Sequence, residues 1–183
     1  MAGDPRTDEP DMSIRPILVY GDPRLEAPNA PVETFGPTLV ALVEDLFETG
    51  WAAPGLGLAA PQVGVNLRLA TVDLSVGKDA GQRIILANPE IVHASGKISL
   101  EEGCLSFPGL FTTLSRPREI VVRAQDLEGD WREIEASGLL AQAFCHEIDH
   151  LAGTLLVHHL RGIKRKMFLR RVAKMKKLGV WDA

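Results

Sequence analysis

The sequence predicts an α+β fold: small mixed or antiparallel sheets wrapped around a buried helix, with a helix towards the N-terminus and another at the C-terminus. Three observations carry this expectation. Stretches with apolar residues at helical spacing flank a long middle region of short, β-rich segments. One helical pattern, centred near residue 145, is apolar almost all round and therefore belongs inside. At 183 residues the chain suits one core rather than two.

The elements follow in order. Residues 1–13 are polar and contain proline, and are expected to be a flexible lead-in to a single domain over 14–183. Met12 stands as a second candidate start. A helix is expected over Pro37–Thr49. Pro37 suits its first position, Leu39, Leu42, Val43 and Leu46 repeat at i, i+3, i+4 and i+7, and Gly50 offers a stop. Strands are expected at Leu67–Val72, Ile84–Ala87, Glu119–Ala124 and Arg132–Ala136, the last two joined by a hairpin through Leu127–Asp130. The buried helix runs over Gly138–Ala152, with Ser137 as N-cap and Gly153 as stop. A last helix spans Lys164–Leu178, with Phe168, Val172 and Met175 on its inner face.

Composition narrows the function classes. The chain is 45% hydrophobic and 24% charged, ordinary for a folded domain and unlike a disordered one. No apolar run approaches bilayer length, so no membrane role is expected. The acidic start lacks the apolar core of a signal peptide. Two cysteines cannot frame a disulfide scaffold, so a reducing, cytoplasmic setting is expected. The net charge of −4 hides an asymmetry: residues 161–177 hold nine of the 20 basic residues and no acidic one. A basic tail on an acidic body raises the question of a polyanionic partner, against the plain alternative of a solvated charged face.

The chemistry lies on the buried helix, which reads His146-Glu147-Ile148-Asp149-His150, an H-E-x-x-H pattern. At 100° per residue the two histidines stand about 40° apart, so both imidazoles reach one metal ion, and Glu147, about 60° from His150, reaches a water beside it. Leu139 and Ala143 share that face, whereas Phe144, Ile148 and Leu151 point to the core. Two satisfied core histidines are the plain alternative. A catalytic site of this kind usually has three protein ligands, and no downstream H-x-x-G-x-x-H extension follows. Cys104, in Glu102-Gly103-Cys104-Leu105-Ser106, is a credible third ligand, although a free cysteine is also a common core residue. A third segment, Gly55-Leu56-Gly57-Leu58-Ala59-Ala60-Pro61-Gln62, lacks the Lys-Ser/Thr ending of a phosphate loop. It is either a tight connection or a place where backbone approaches a ligand, with the Gln62 amide able to stabilise an oxyanion.

Taken together, G-x-G-x-A-A-x-Q at 55–62, E-G-C-L-S at 102–106 and H-E-x-D-H at 146–150 resemble the three signature motifs of the peptide deformylase family, in its order and with similar separations. Ile17-Leu18-Val19-Tyr20-Gly21-Asp22-Pro23-Arg24-Leu25 is similar to that family's opening, and the likeness extends over residues 14–178. The resemblance implies removal of the N-formyl group from the formyl-methionine of nascent polypeptides, giving formate. It implies one divalent ion, Fe(II) natively with Zn, Ni or Co able to replace it, held by Cys104, His146 and His150. It further implies Glu147 as general acid and base, and Gln62 with the Leu105 N–H as oxyanion donors. Leu56, Gly57, Leu139 and Ala143 would border the methionine pocket, while Gly55 and Gly103 would pair with an extended substrate. Glu102 would support a ligand, as would Asp149 paired with Arg116. Two positions depart from common members: Gln142 beside the pocket, and Leu110-Phe111-Thr112 where relatives often carry arginine. The absence of long insertions and the helical end resemble the type 1 branch, of bacterial type, cytoplasmic or organellar. In some members the C-terminal helix docks on the ribosome, which gives the basic segment 161–178 a reading as an rRNA contact. From H-E-x-x-H alone a zincin-type endoprotease is the rival, and a catalytically silent ribosome-binding relative is a third class.

Overall fold

The structure is a computed structural model and describes residues 14–179 and Trp181. The expectations for residues 1–13, including the second start at Met12, lie outside the described residues. In chain order the elements are α1 (Pro37–Ala52), β1 (Gly57–Ala59), β2 (Leu69–Val72), β3 (Ile84–Ser95), β4 (Ile98–Gly103), β5 (Phe111–Arg116), β6 (Glu119–Gln125), β7 (Trp131–Ser137), α2 (Gly138–Leu151) and α3 (Gly162–Lys177). Short 3-10 turns lie at Pro23–Glu26, Ala60–Val63, Ala80–Gln82 and Leu156–His159. Five strands form one antiparallel sheet in the order β1-β2-β3-β6-β7, and β4 and β5 form a second, two-stranded one. The α+β expectation holds, with helices against antiparallel sheets.

Local departures have physical reasons. α1 does not stop at Gly50 but continues to Ala52, where the Ala53 N–H closes it on the Thr49 carbonyl at 3.2 Å. Gly50 is buried, and a Cβ there would stand 3.7 Å from the Leu58 side chain, so it serves close packing rather than termination. The strand expected from Leu67 begins at Leu69, because Leu67 makes a lone parallel bridge to Ala30. β3 runs past Ala87 to Ser95 through a register shift at Ala87–Glu90. Asn88 sits there at φ +50°, held by its own amide: Oδ1 accepts from the Val32 N–H, and Nδ2 donates to Val32 O and Gln125 Oε1. Ser137 occupies the N-cap of α2 without making the expected side-chain bond. α3 starts two residues earlier than Lys164.

Packing places α2 at the centre. Phe144, Cys145 and Leu151 bury against Val72, Leu86, Val122 and Ala136 of the large sheet, as its apolar pattern requires. Each such fully buried large side chain stabilises the fold by about 1.5–3 kcal/mol. α1 packs Leu42, Val43, Leu46 and Phe47 against Leu58 and Leu69. α3 buries Phe168 and Val172 against Phe107, Leu155 and Trp181. Phe107 stacks on Tyr20 at 4.8 Å and meets Phe168 at 5.4 Å, so the aromatic group anchors the loop that follows β4. Among the described residues no helix is long and apolar enough to cross a membrane.

Candidate active site

α2, the end of β4 and the turn after β1 converge on one cavity of about 860 Å³. Cys104 directly follows β4, His146 and His150 lie one turn apart on α2, and all three are buried. Their ligand atoms fall within 4.8 Å of one another. Cys104 Sγ is 3.2 Å from His150 Nε2, which is 3.2 Å from His146 Nε2. One thiolate and two imidazoles arranged in this way form a donor set for a soft or borderline divalent cation, with room for a fourth, non-protein ligand. The electrostatics fit that use. Burial pushes His146 down, but the neighbouring Cys104 sulfur and Glu102 outweigh it and raise the ring well above its ordinary value. Burial lowers His150 well below its ordinary value, and the neighbouring His146 charge adds to this, leaving it a neutral ligand.

Glu102 orients the first histidine, since its Oε1 lies 2.8 Å from His146 Nδ1. This fixes the ring so that Nε2 faces the cation position. Burial pushes the Glu102 carboxyl up, but His146 and Arg116 hold it down at about 2. Arg116, on β5, is forked onto Glu102 at 2.6 and 3.1 Å and reaches Asp149 at 2.6 Å. The expected Arg116–Asp149 pair is present, and the arginine also serves Glu102. His159 closes on the same Asp149 at 2.7 Å.

Glu147 is 4% exposed, and its Oε2 has no partner. Burial pushes its carboxyl up to about 7; the His146 charge opposes this, while Glu102 and Asp149 add to it. A buried carboxyl poised near neutrality beside a cation position is suited to taking and returning a proton. It rests against Gly57, where a Cβ would lie 2.6 Å from Glu147 Oε1, so any larger residue would push the carboxyl aside. The Gln62 amide has a fixed orientation: its Oε1 accepts from the Ala59 N–H at 2.9 Å, which leaves Nε2 facing Ser106 Oγ at 3.2 Å and Cys104 Sγ at 3.8 Å.

The residues singled out from sequence meet here. Gly55, Leu56, Gly57, Gln62, Gly103, Cys104, Leu105, Leu139, Ala143, His146 and Glu147 all line the cavity, and His150 backs it through the ligand cluster. Leu139 is half exposed at the mouth and Ala143 buried deeper. Among the described residues β1 is the terminal strand of its sheet, and β4 pairs only with β5. Phe111, opposite Gly103 in the β4–β5 register, lays its ring over that glycine at the rim. Sequence reasoning gave no role to Ser106 beside Gln62, nor to Ile17 and Val19 in the cavity wall. The apolar alternation of Ile17 and Val19 was the available signal.

The sequence profile described as polypeptide deformylase matches residues 14–166. The chain is 46% identical over 170 residues to a peptide deformylase of Acidobacterium capsulatum, covering 93% of this chain and 100% of that one. It is 47% identical over 161 residues to a peptide deformylase of Hydrogenovibrio crunogenus, covering 88% and 92%. A crystal structure of a peptide deformylase from Legionella pneumophila aligns with a TM-score of 0.86 at 45% identity, covering 92% of this chain and 98% of that one. With the three motifs gathered in one cavity and likeness running along nearly the whole length, the chain belongs to the polypeptide deformylase family.

Proposed function

We propose that this protein is a peptide deformylase, a metal-dependent hydrolase that removes the N-formyl group from the formyl-methionine of nascent polypeptides and releases formate. One observation carries the reading: the Cys104, His146 and His150 donor cluster shares a cavity with an unpartnered Glu147 oxygen and an oriented Gln62 amide. Residues 14–183 act as a single catalytic domain.

Cys104, His146 and His150 hold the ion, for which we infer Fe(II), with Zn, Ni or Co able to take its place. A divalent ion in that position supplies Lewis acidity to the carbonyl and makes a nearby water easier to deprotonate. Glu147 takes the proton from the attacking water at its free Oε2 and passes it to the departing amine. Gln62 Nε2 and the Leu105 N–H bind the oxygen as negative charge develops on it. Leu56, Gly57, Leu139 and Ala143 accept the methionine side chain. The backbone at Gly55 and Gly103 pairs with the extended peptide, in the manner of an added strand.

The experiment is formate release from a formyl-Met peptide by anaerobically purified protein of known metal content. Release that Glu147→Ala abolishes while metal content stays unchanged is the expected result. A metal-loaded protein that releases none, or that instead cuts an unformylated internal peptide bond, overturns the reading. Fe(II) predicts loss of activity in air, with oxidation at Cys104.

The same reading places the protein in the cytoplasm, where a reducing setting keeps Cys104 out of a disulfide and able to ligate the ion. The partner of α3 is the ribosome. Its basic residues face solvent while Phe168 and Val172 are buried, an arrangement suited to rRNA phosphates. Co-sedimentation with ribosomes that falls with salt, and is lost when the exposed Lys and Arg of α3 become Glu, tests it.

A further inference from the structure

Gln142 stands on α2 one turn before His146 and is 3% exposed. Its Nε2 donates to Glu102 Oε2 at 3.1 Å and to the Glu101 carbonyl at 3.3 Å. Both partners are acceptors, so the amide fits only one way round. Its Oε1 is left buried with no partner. That arrangement is unfavourable in itself. A leucine or methionine would fill much the same space with no stranded acceptor. What the amide contributes is the pair of donor bonds to β4.

We propose that Gln142 is a positioning residue for His146, acting through Glu102. Glu102 is the only connection needed: Gln142 holds its Oε2, and its Oε1 faces His146 Nδ1 at 2.8 Å. Arg116 also grips this carboxylate, but from β5, and it is shared with Asp149. Gln142 differs in origin. It lies on the same helix as the imidazole being oriented, so its bond locks the carboxylate of β4 to the frame of α2. A sliding of β4 along α2 then has to break this bond before the ring can turn. Two rival roles make different predictions. A plain wall of the substrate pocket would act on KM, and a plain structural bond would act on stability.

This inference rests on the metal centre of the proposed function, and its test separates the two. The full chain is compared with Gln142→Met, Gln142→Leu and Gln142→Glu. Three quantities are followed: Co(II) affinity, read from the thiolate charge-transfer band of Cys104 in competition with a chelator; melting of the metal-free protein; and kcat and KM on a formyl-Met peptide. The Met and Leu variants are expected to weaken Co(II) binding roughly tenfold or more, with melting of the metal-free protein unchanged or raised. In both, kcat should fall while KM stays within about twofold. Gln142→Glu, which sets a carboxylate against Glu102, is expected to weaken Co(II) binding further. Unchanged Co(II) affinity with lower melting overturns the proposal in favour of a structural bond. A rise in KM alone overturns it in favour of a pocket wall. The Co(II) readout needs no formyl substrate, so weakened binding in a protein that releases no formate supports the role of Gln142 while overturning the deformylase reading.

Discussion

Replacing Arg116 by methionine tests the buried charge cluster behind the site. The substitution keeps most of the apolar stem and removes the guanidinium, which is 7% exposed and makes three contacts of 3.1 Å or less. Glu102, 5% exposed, is left with only Gln142 and His146. Stripping one partner from a buried pair costs about 3–5 kcal/mol. Asp149 is a quarter exposed and regains water, so it adds little. For a domain of this size each kcal/mol lowers Tm by about 2–4 °C, giving a drop of about 6–20 °C. The pH dependence has a definite sign. Burial pushes Glu102 up, yet His146 and Arg116 hold it at about 2, below its ordinary 4.5. A depressed carboxyl contributes stability that is complete above its unfolded value and is lost as the folded value is approached from above. The gap between wild type and Arg116→Met is therefore full near neutrality and closes as pH falls from about 4.5 towards 2. Urea unfolding across that range, on metal-free and loaded protein, measures it. Adding Glu102→Gln to the variant removes the stranded charge and should restore part of the loss. A neutral-pH loss below about 1 kcal/mol, or a gap that widens in acid, would refute the reasoning.

Three further outcomes are expected. Gly57→Ala places a Cβ 2.6 Å from Glu147 Oε1 and 3.0 Å from its Cγ, so the buried carboxylate must shift. On the scale of an ångström this lowers kcat roughly 10²-fold with metal content intact, and activity within a few-fold of wild type, measured alongside metal analysis, would contradict it. Gln62→Leu removes a donor aimed at the cavity and should lower kcat about 10²–10³-fold. Steady-state kinetics decides, with a change confined to KM counting against the role. Phe168→Ala empties a site that is 4% exposed and lies 5.4 Å from Phe107, so urea unfolding should register a loss of about 3–5 kcal/mol. A negligible loss would mean that α3 is held by something other than its buried face.

The helices were legible because their signals are local. Leu39, Leu42, Val43 and Leu46 repeat at helical spacing, and the nearly uniform apolar surface of α2 announced its burial. The face that carries the two histidines was legible for the same reason, since helical geometry alone brings His146 and His150 together. Strands set by distant partners were not. Gly57-Leu58-Ala59 has no strand character, and becomes β1 only because β2 pairs with it. The strand expected over Ile84–Ala87 runs further, because the Asn88 side chain bonds to Val32 and carries the chain through a bulge. β4 and β5 were missed because their alternation is spent on Glu102 and Arg116, which face inward as a charge pair where a strand would ordinarily bury apolar residues. The chemistry at Cys104 was visible as a candidate, while the aromatic group at Phe107 that holds its loop depends on Tyr20 and Phe168 from opposite ends of the chain.

If the peptide pairs with the backbone beside β1 and β4, as proposed, the position of these strands at the ends of their sheets bears on the breadth of proteins processed. A peptide gripped by its main chain offers the same donors and acceptors whatever residues it carries, so the edges are indifferent to the message being translated. On that proposal, discrimination would be concentrated at the first residue and its formyl cap. Different newly made proteins competing for the same enzyme would be processed at similar rates, and the order of their release would follow synthesis rather than sequence.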